Sequence, residues 1–247
     1  MDSGLLTINK TAKLLGISIQ TLRRWDDSGK LSPVRRKTAE HRHYLRSDVE
    51  NFIRDNGKDL DLFKLARNWE MDNLGVEPFS DFYCKDVSVF QARLTRLENE
   101  LGTIKRLNRI FPLLSAIAGE IGNNSFDHNL GNWLDISGIF FAWDTSKGKI
   151  VLADRGQGVL ATLKKVKPEL ENHQDALRIA FTEIISGRAP EYRGNGLKFV
   201  KEVVFENKIS LFFQTGDAQL TIKKNDSDIG IKKVSISLRG CLALIEF

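Results

Sequence analysis

The sequence predicts an α+β protein with a small helical domain at the amino terminus and a larger mixed domain after it. Two observations support this prediction. Hydroxyl side chains and glycines bracket short helical stretches in the first 57 residues, as helix caps do. After residue 110, helical stretches are mixed with hairpin-like pairs of strands, which is the pattern of an α+β domain.

Composition and charge indicate which kinds of protein this sequence can encode. The 247 residues can bury a sizeable core, and the apolar runs fall far short of the ~20 residues that a membrane span needs. No secretory signal is evident, and Cys84 and Cys241 form no CxxC pair, so we expect a reducing, cytoplasmic environment. Eleven basic and seven acidic side chains fall within residues 1–57. This local excess indicates either a polyanionic partner or a solvated basic face.

The first 57 residues predict a helix-turn-helix. Thr7 can cap a helix that ends at Gly16, and Ser18 can cap a second helix that ends near Gly29. The basic segment "VRRKTAEHRHYL" suits a small hairpin, and Ser47 can cap a third helix. The polar stretch "RDNGKDLD" then marks the end of this domain.

Residues 5–54 resemble the MerR-type and excisionase-like winged helix-turn-helix in the runs "LRRW", "GKLSP" and "HRHY". The resemblance implies binding to double-stranded DNA, with the second helix in the major groove and the wing on the backbone or minor groove. Trp25 and Tyr44 would be packing residues. The alternative is a helix-turn-helix used for protein docking. The DNA-binding residues would be Ser18, Gln20, Thr21, Arg23 and Arg24 in the second helix, and Arg35, Arg36, Lys37, His41 and Arg42 in the wing.

Residues 58–106 are predicted to form a helical connector. Within them, "VSVFQARLTRLENELGTI" spaces apolar residues at alternating steps of three and four over about two and a half heptads. The stripe is either a self-association seam or the buried face of a helix on its own domain. We expect a homodimer, because one short recognition helix reads few base pairs. The stripe consists of Val87, Phe90, Leu94, Leu97, Leu101 and Ile104.

A polar run, "EIGNNSFDHN", follows the apolar run "IFPLLSAIAG" in a predicted helix over 110–128. Glu120, Asn124, Asp127 and His128 fall at i, i+4, i+7 and i+8, and so project from one face. Such a face needs a partner if it is buried. Mg²⁺ with a polyphosphate is one candidate, because Mg²⁺ binds one or two protein oxygens together with phosphates. A solvent-facing helix end is the other interpretation.

Two glycine motifs come later in the chain. The apolar strand "VLAD" ends at Asp154, and Gly156 and Gly158 follow it. A carboxylate there can accept a hydrogen bond from an exocyclic amine, and glycines let a ligand approach the backbone. In "YRGNGLKF", Gly194 and Gly196 precede a predicted helix, whose first N–H groups favour phosphate. Either glycine motif alone is weak evidence for a nucleotide site. The more specific evidence is that the polar helix face, the Asp154 motif and the Gly194 motif follow one another in this order.

Residues 107–247 resemble the Bergerat-fold ATPases, the superfamily of gyrase, the heat-shock chaperone ATPase, sensor histidine kinases and MutL. The resemblance implies a histidine-kinase-like α/β sandwich that binds ATP and Mg²⁺, with residues 159–193 as a lid. Glu120 would be the general base and Asn124 the Mg²⁺ ligand. Asp154 would read the adenine amino group, and Cys241 stands where many members have a supporting threonine. The other ATP-binding residues would be Asp127, His128, Gly156, Gly158, Arg193, Gly194, Asn195, Gly196 and Leu197.

Together the two resemblances predict an ATP-responsive DNA-binding protein, a transcriptional regulator with slow Mg²⁺-dependent ATPase activity. The same Glu, Asn and His spacing occurs in serine kinases that resemble anti-sigma factors, so phosphate transfer to a partner protein stays open. A third alternative is the ATPase component of a mobile-element or defence system. No upstream H-box carries a phospho-accepting histidine, which argues against a histidine autokinase.

Overall fold

The computed structural model describes residues 4–34, 42–56, 60–73, 75–183 and 196–247. In these ranges, a helical domain with a two-stranded sheet precedes a seven-stranded sheet that has helices on both faces. The predicted α+β class agrees with this mixture of elements. Nowhere in the described ranges is a helix both long and apolar enough to cross a membrane.

The elements of the amino-terminal domain begin at their predicted capping residues. Thr7 Oγ1 accepts a hydrogen bond from the backbone N–H of Lys10 (3.3 Å), and Ser18 Oγ accepts one from that of Thr21 (3.0 Å). Gly16 follows the first helix with φ +66°, a conformation that favours glycine. The elements are β1 (Leu5–Thr7), α1 (Ile8–Leu14), α2 (Ile19–Asp27), β2 (His43–Leu45) and α3 (Arg46–Asn56).

The region of the predicted wing differs from the expectation in two details. The helix α3 begins at Arg46, so Ser47 lies inside it and the predicted cap at Ser47 is wrong. The strand β2 pairs with β1 at the start of the chain, and a single bridge joins His43 to Val34. Residues 35–41, which would form the tip of the wing, lie outside the described ranges. The base of the wing is therefore held by the first strand of the domain.

The larger sheet places the last strand of the chain near its centre. Its strands are β3 (Tyr83–Cys84), β4 (Ile139–Asp144), β5 (Lys149–Asp154), β6 (Ser210–Thr215), β7 (Ala218–Ile222), β8 (Gly230–Lys233) and β9 (Cys241–Glu246). They are ordered β3-β4-β5-β9-β6-β7-β8, and each neighbouring pair is antiparallel. Because β9 lies between β5 and β6, the carboxyl-terminal segment meets the end of β5 directly.

Helices cover this sheet on both faces. They are α4 (Leu62–Glu70), α5 (Val87–Gly102), α6 (Phe111–Asn129), α7 (Gly158–Leu163), α8 (His173–Thr182) and α9 (Gly196–Glu206), with one 3-10 turn at Lys105–Leu107. The predicted helix over 110–128 corresponds to α6, and its first turn contains a proline, as helix starts often do.

Neighbouring residues of the central strands β4, β5 and β9 belong to different cores, because strand side chains alternate between the two faces. Phe141 and Leu152 share one core with α5, α6, α8 and α9. Phe140 and Ala153 share the other core with α4 and with the buried residues of the amino-terminal domain. The amino-terminal domain, α4 and one face of the sheet therefore form a continuous apolar core.

The centre of the apolar stripe predicted in the connector is buried within its own chain, although Val87, its first residue, is exposed. Phe90, Leu97 and Leu101 have no exposed surface and lie in the core with α6 and the sheet. The ring centroid of Phe90 is 5.1 Å from that of Phe141. Of the two alternatives, the helix therefore packs on its own domain. The strand β3 and the helix α5, both within 58–106, contribute to the same packed unit as the residues after 107.

Candidate functional site

The helix α6 presents two rows of polar side chains to two different parts of the chain. Glu120 and Asn124 lie in one half-buried row, and Ser125 and Asn129 form a buried row beside it. Each row has the spacing of four residues that places side chains on one helix face. The first row meets the start of α9, and the second meets the end of β5.

Asp154, at the end of β5, is buried and accepts hydrogen bonds from several donors. Its Oδ2 accepts from Ser125 Oγ (2.8 Å), and its Oδ1 accepts from Asn129 Nδ2 (3.3 Å) and from the backbone N–H of Gly156 (2.9 Å). Burial raises the pKa of Asp154, and these donors oppose that rise. Ser125 and Asn129 were not among the predicted site residues, although their spacing repeats that of Glu120 and Asn124.

The turn after Asp154 is seated on the carboxyl-terminal end of α6. A Cβ on Gly156 would lie 2.1 Å from the side-chain atoms of Asn129, so this position has no room for a side chain. The amide oxygen of Asn129 accepts from the backbone N–H of Gln157 (2.9 Å). Gly158 has φ +76°, and an added Cβ would meet Thr215 Oγ1 at 2.9 Å. Both glycines of the predicted motif are therefore required by close approach to neighbouring elements.

Cys241 lies between Asp154 and Thr215, a residue that was not among the predicted site residues. In the sheet register, Asp154 is opposite Cys241, and Cys241 is opposite Thr215. Burial raises the pKa of the Cys241 thiol; the negative charge of Asp154 adds to the rise, and Thr215 opposes it. Thr215 Oγ1 also accepts from the backbone N–H of Val159 (3.1 Å). A threonine hydroxyl is thus present beside this pair, on β6 rather than at position 241.

Glu120 faces the start of α9. A Cβ on Gly196 would lie 1.7 Å from Glu120 Oε1, so the two segments are in direct contact. Burial is the main cause of a raised pKa at Glu120; the negative charge of Asp127 adds to it, and a hydrogen bond from Asn124 opposes it. A carboxylate with a raised pKa is a better proton acceptor, which is a property of general bases.

The remaining predicted ATP-binding residues are divided between described and undescribed parts of the chain. Asp127 and His128 are exposed at the end of α6, and Leu197 packs half-buried on the core. The predicted lid includes α7 and α8. Residues 184–195, which include Arg193, Gly194 and Asn195, lie outside the described ranges.

The space beside Asp154 is a narrow crevice. It has no room for even one water molecule, and Ile121, Ser125, Leu152 and Cys241 are among the residues that line it. Pockets for small molecules usually measure ~300 Å³ or more. In this conformation, α6 and β5 are therefore too close together to admit a nucleotide base.

Arg155, the residue after Asp154, lies on the opposite face of the sheet and has no exposed surface. Its guanidinium donates to the carbonyl oxygens of Trp69, Glu70 (2.9 Å) and Asp72 (2.6 Å) at the end of α4. It also forms an ion pair with Asp135. These acceptors are carbonyls of the last turn of α4 and of the second residue after it, so Arg155 serves as a buried cap for α4.

Glu70, the last residue of α4, reaches the segment that precedes β9. Its Oε1 accepts from the backbone N–H groups of Arg239 and Gly240 (3.0 Å). Its Oε2 is buried without a hydrogen-bond partner among the described residues. Burial raises the pKa of Glu70 to about 7. Gly240 in turn abuts Asp154, because an added Cβ would lie 2.2 Å from the Asp154 carbonyl oxygen.

The carboxyl-terminal end of α4 also contacts the amino-terminal domain. Asp72, whose carbonyl accepts from Arg155, pairs through its carboxylate with Lys13 of α1. Gly16, in the turn between α1 and α2, lies against Leu65 of α4, with a distance of 3.3 Å for an added Cβ. A short series of contacts therefore runs from the end of β5 through α4 to the helix-turn-helix.

The helix α2 presents a polar surface to solvent. Its predicted DNA contacts Ser18, Gln20, Arg23 and Arg24 are exposed, and Thr21 is half-buried. The two hydroxyls of Ser18 and Thr21 are 2.9 Å apart at the start of the helix. The face opposite them is buried through Leu22 and is packed within the domain. This face of α2 is therefore free to enter a groove.

Trp25 and Tyr44 pack inside the amino-terminal domain, as predicted. Arg42, a predicted wing residue, pairs with a residue of α2. Tyr44 is fully buried, and the ring of Trp25 lies 4.8 Å from that of Phe52. Arg42 Nε donates to Asp26 Oδ2 (2.7 Å), which joins the wing to α2. The other predicted wing residues, Arg35, Arg36, Lys37 and His41, lie outside the described ranges.

Comparison with protein families supports this reading of the amino-terminal domain. Residues 7–44 match the family model described as MerR family regulatory protein. The match spans α1, α2 and the predicted wing, so a MerR-type helix-turn-helix of a DNA-binding regulator is present at residues 7–44. A comparison with curated proteins gave no match.

Proposed function

We propose that this protein is a DNA-binding regulator whose affinity for DNA responds to ATP and Mg²⁺, and that it hydrolyses ATP slowly. The single observation that carries the nucleotide part is the position of α6. One helix contacts both Asp154 and Gly196, which belong to the two glycine motifs and lie 42 positions apart in the chain. The MerR-type match at residues 7–44 supports the DNA part.

The residues on α6 have the chemistry that an ATPase site requires. Bound Mg²⁺–ATP would supply a polarised terminal phosphate whose charge the metal neutralises. Asn124 offers an amide oxygen as a hard ligand for Mg²⁺. Glu120, with its raised pKa, would take a proton from water. Asp154 would accept from an adenine amino group once the crevice between α6 and β5 has widened.

A response to nucleotide would reach the DNA-binding domain through β5 and α4. Asp154 and Arg155 are adjacent, and their side chains lie on opposite faces of the sheet. Movement of this turn on nucleotide binding would displace Arg155 from the α4 carbonyls that it caps. The ion pair between Asp72 and Lys13 would transmit the displacement to α1. Coupling of this kind requires a difference in nucleotide affinity between two arrangements of α4.

Calorimetry and phosphate release test the nucleotide part. We expect ATP to bind with Mg²⁺ and to release phosphate slowly. Glu120→Gln should lower the hydrolysis rate by about 10²- to 10⁴-fold while binding persists, as for loss of a general base. Asn124→Ala should remove the Mg²⁺ dependence of binding. The exposed residue Asn108 provides the matched control Asn108→Ala, which should change neither property. Absence of heat with any adenine nucleotide would overturn the proposal.

Terminally labelled ATP distinguishes hydrolysis from phosphate transfer. Label released as free phosphate supports the ATPase, whereas label retained on a protein supports the kinase alternative. DNA affinity is then measured with and without ATP and Mg²⁺ at fixed salt, because salt alone changes such affinities strongly. Equal affinities under both conditions would exclude a nucleotide response.

A further inference from the structure

A second cavity lies away from the nucleotide site, between the amino-terminal domain and the sheet. Its volume is about 310 Å³, and it is bounded by α1, α4, the segment before β3, and β4. This volume falls at the lower end of the range of small-molecule pockets, which occur preferentially at domain interfaces. Its size and position both differ from those of the narrow crevice beside Asp154.

Four aromatic side chains contribute to the wall of this cavity. Trp69, Phe79, Phe82 and Phe140 line it together with Leu14 and Leu65. The ring centroids of Phe82 and Phe140 are 5.3 Å apart, and those of Trp69 and Phe140 are 6.4 Å apart. Rings at such separations form a rigid apolar surface on which a further flat ring can pack. The indole N–H of Trp69 is already donated to the carbonyl of Val76 (2.9 Å), which fixes the indole.

The rim of the cavity carries one cation in excess. Lys10, Lys13 and Asp72 are the charged residues of the lining, and Lys13 pairs with Asp72. Lys10 Nζ forms no ion pair with any residue that the structure describes. A ligand with one negative charge at its edge would therefore complement the rim, whereas a cation would meet an uncompensated ammonium group.

We propose that this cavity binds a small, flat aromatic molecule that bears one anionic group, with its ring among Trp69, Phe82 and Phe140 and its charge at Lys10. The ligand would contact α1 and the sheet at once, and would be a second effector in addition to the nucleotide. The proposal does not depend on ATP binding. The test below is therefore carried out without nucleotide and Mg²⁺.

The test uses 2-naphthoate as the probe, with calorimetry on the full chain. We expect one saturable site that binds 2-naphthoate about tenfold more tightly than the neutral analogue 2-naphthylmethanol, as for one charge-assisted hydrogen bond. The cation 2-naphthylmethylammonium should bind most weakly. Equal affinities for the three probes would overturn the assignment of an anionic ligand, and absence of saturable binding would overturn the site itself.

Two variants locate the probe. Lys10→Met should weaken binding of 2-naphthoate about tenfold and leave the neutral alcohol unaffected. Lys64→Met is the matched control, because Lys64 is exposed on α4 and does not line the cavity. Leu14→Phe, which fills part of the cavity, should weaken binding of both probes. Circular dichroism confirms that each variant folds, and unchanged binding in folded Lys10→Met and Leu14→Phe would place the probe elsewhere.

Discussion

Glu70 should make the stability of this protein depend on pH in a direction opposite to that of most carboxylates. Its carboxyl group has no exposed surface, and only one of its oxygens is hydrogen-bonded. Burial and the nearby Asp154 raise its pKa from 4.5 to about 7. The informative change is Glu70→Gln, because the amide keeps the shape of the side chain and an oxygen for Gly240, and removes the titration.

Proton linkage gives the sign and the size of the change in the free energy of unfolding with pH. Below about pH 4.5 the group is protonated in both the folded and the unfolded chain. Between about pH 4.5 and 7 the unfolded chain loses this proton and the folded chain retains it, so the free energy of unfolding decreases as the pH rises. Above about pH 7 the effect is constant. The difference in pKa corresponds to about 3 kcal/mol.

Urea denaturation at pH 4.5, 6 and 8 provides the measurement. We expect the free energy of unfolding of the wild type, relative to that of Glu70→Gln, to fall by about 3 kcal/mol across this range. Glu171→Gln changes an exposed glutamate and should show no comparable trend. A wild-type-to-variant difference that is independent of pH, or that rises with pH, would refute the reasoning.

Three further variants test the packing and the DNA surface. Arg155→Lys should lower the free energy of unfolding by about 3–5 kcal/mol, because a single ammonium cannot replace a buried guanidinium that donates to several acceptors. Arg178→Lys, at an exposed position, is the control. Urea denaturation measures both variants. Leu97→Ala should cost about 2–5 kcal/mol without altering the oligomeric state seen in sedimentation, and dissociation of an oligomer would instead indicate a seam. Arg24→Ala should weaken DNA binding and reduce the slope of log affinity against log salt by about one, whereas Arg178→Ala should leave the slope unchanged.

Features that depend on local sequence were predictable. Thr7 and Ser18 cap helices because a hydroxyl before a helical stretch can accept from a backbone N–H two or three positions later. Strands β4, β5, β6, β7 and β9 coincide with short apolar runs between turn residues. A strand expected at "KVSISL" is wrong, because β8 ends at Lys233 and residues 234–240 form no strand. The residue composition of α6 identified a polar helix face, and Glu120 does meet the glycine at position 196.

Features that depend on pairing of distant segments were not predictable. Ser125 and Asn129 are short polar residues within an apolar helix, and only the position of β5 shows that they hold Asp154. Arg155 looks like a filler residue in "DRGQG", because its acceptors on α4 lie 83 to 86 positions away. The stripe in α5 has the same spacing whether its partner is another chain or the helix α6, so sequence alone could not choose between them.

The two-sided cover of the sheet bears on how the protein can be divided for experiments. A fragment that starts at residue 107 would lack β3, α4 and α5, and would lay bare Phe140, Val151 and Leu242, which are almost completely shielded in the full chain. Apolar surface of that kind promotes aggregation. A cut near residue 57 would expose less apolar surface, but it would still remove the amino-terminal helices that pack on α4. Tests of either part are therefore best made with residues 1–247 together.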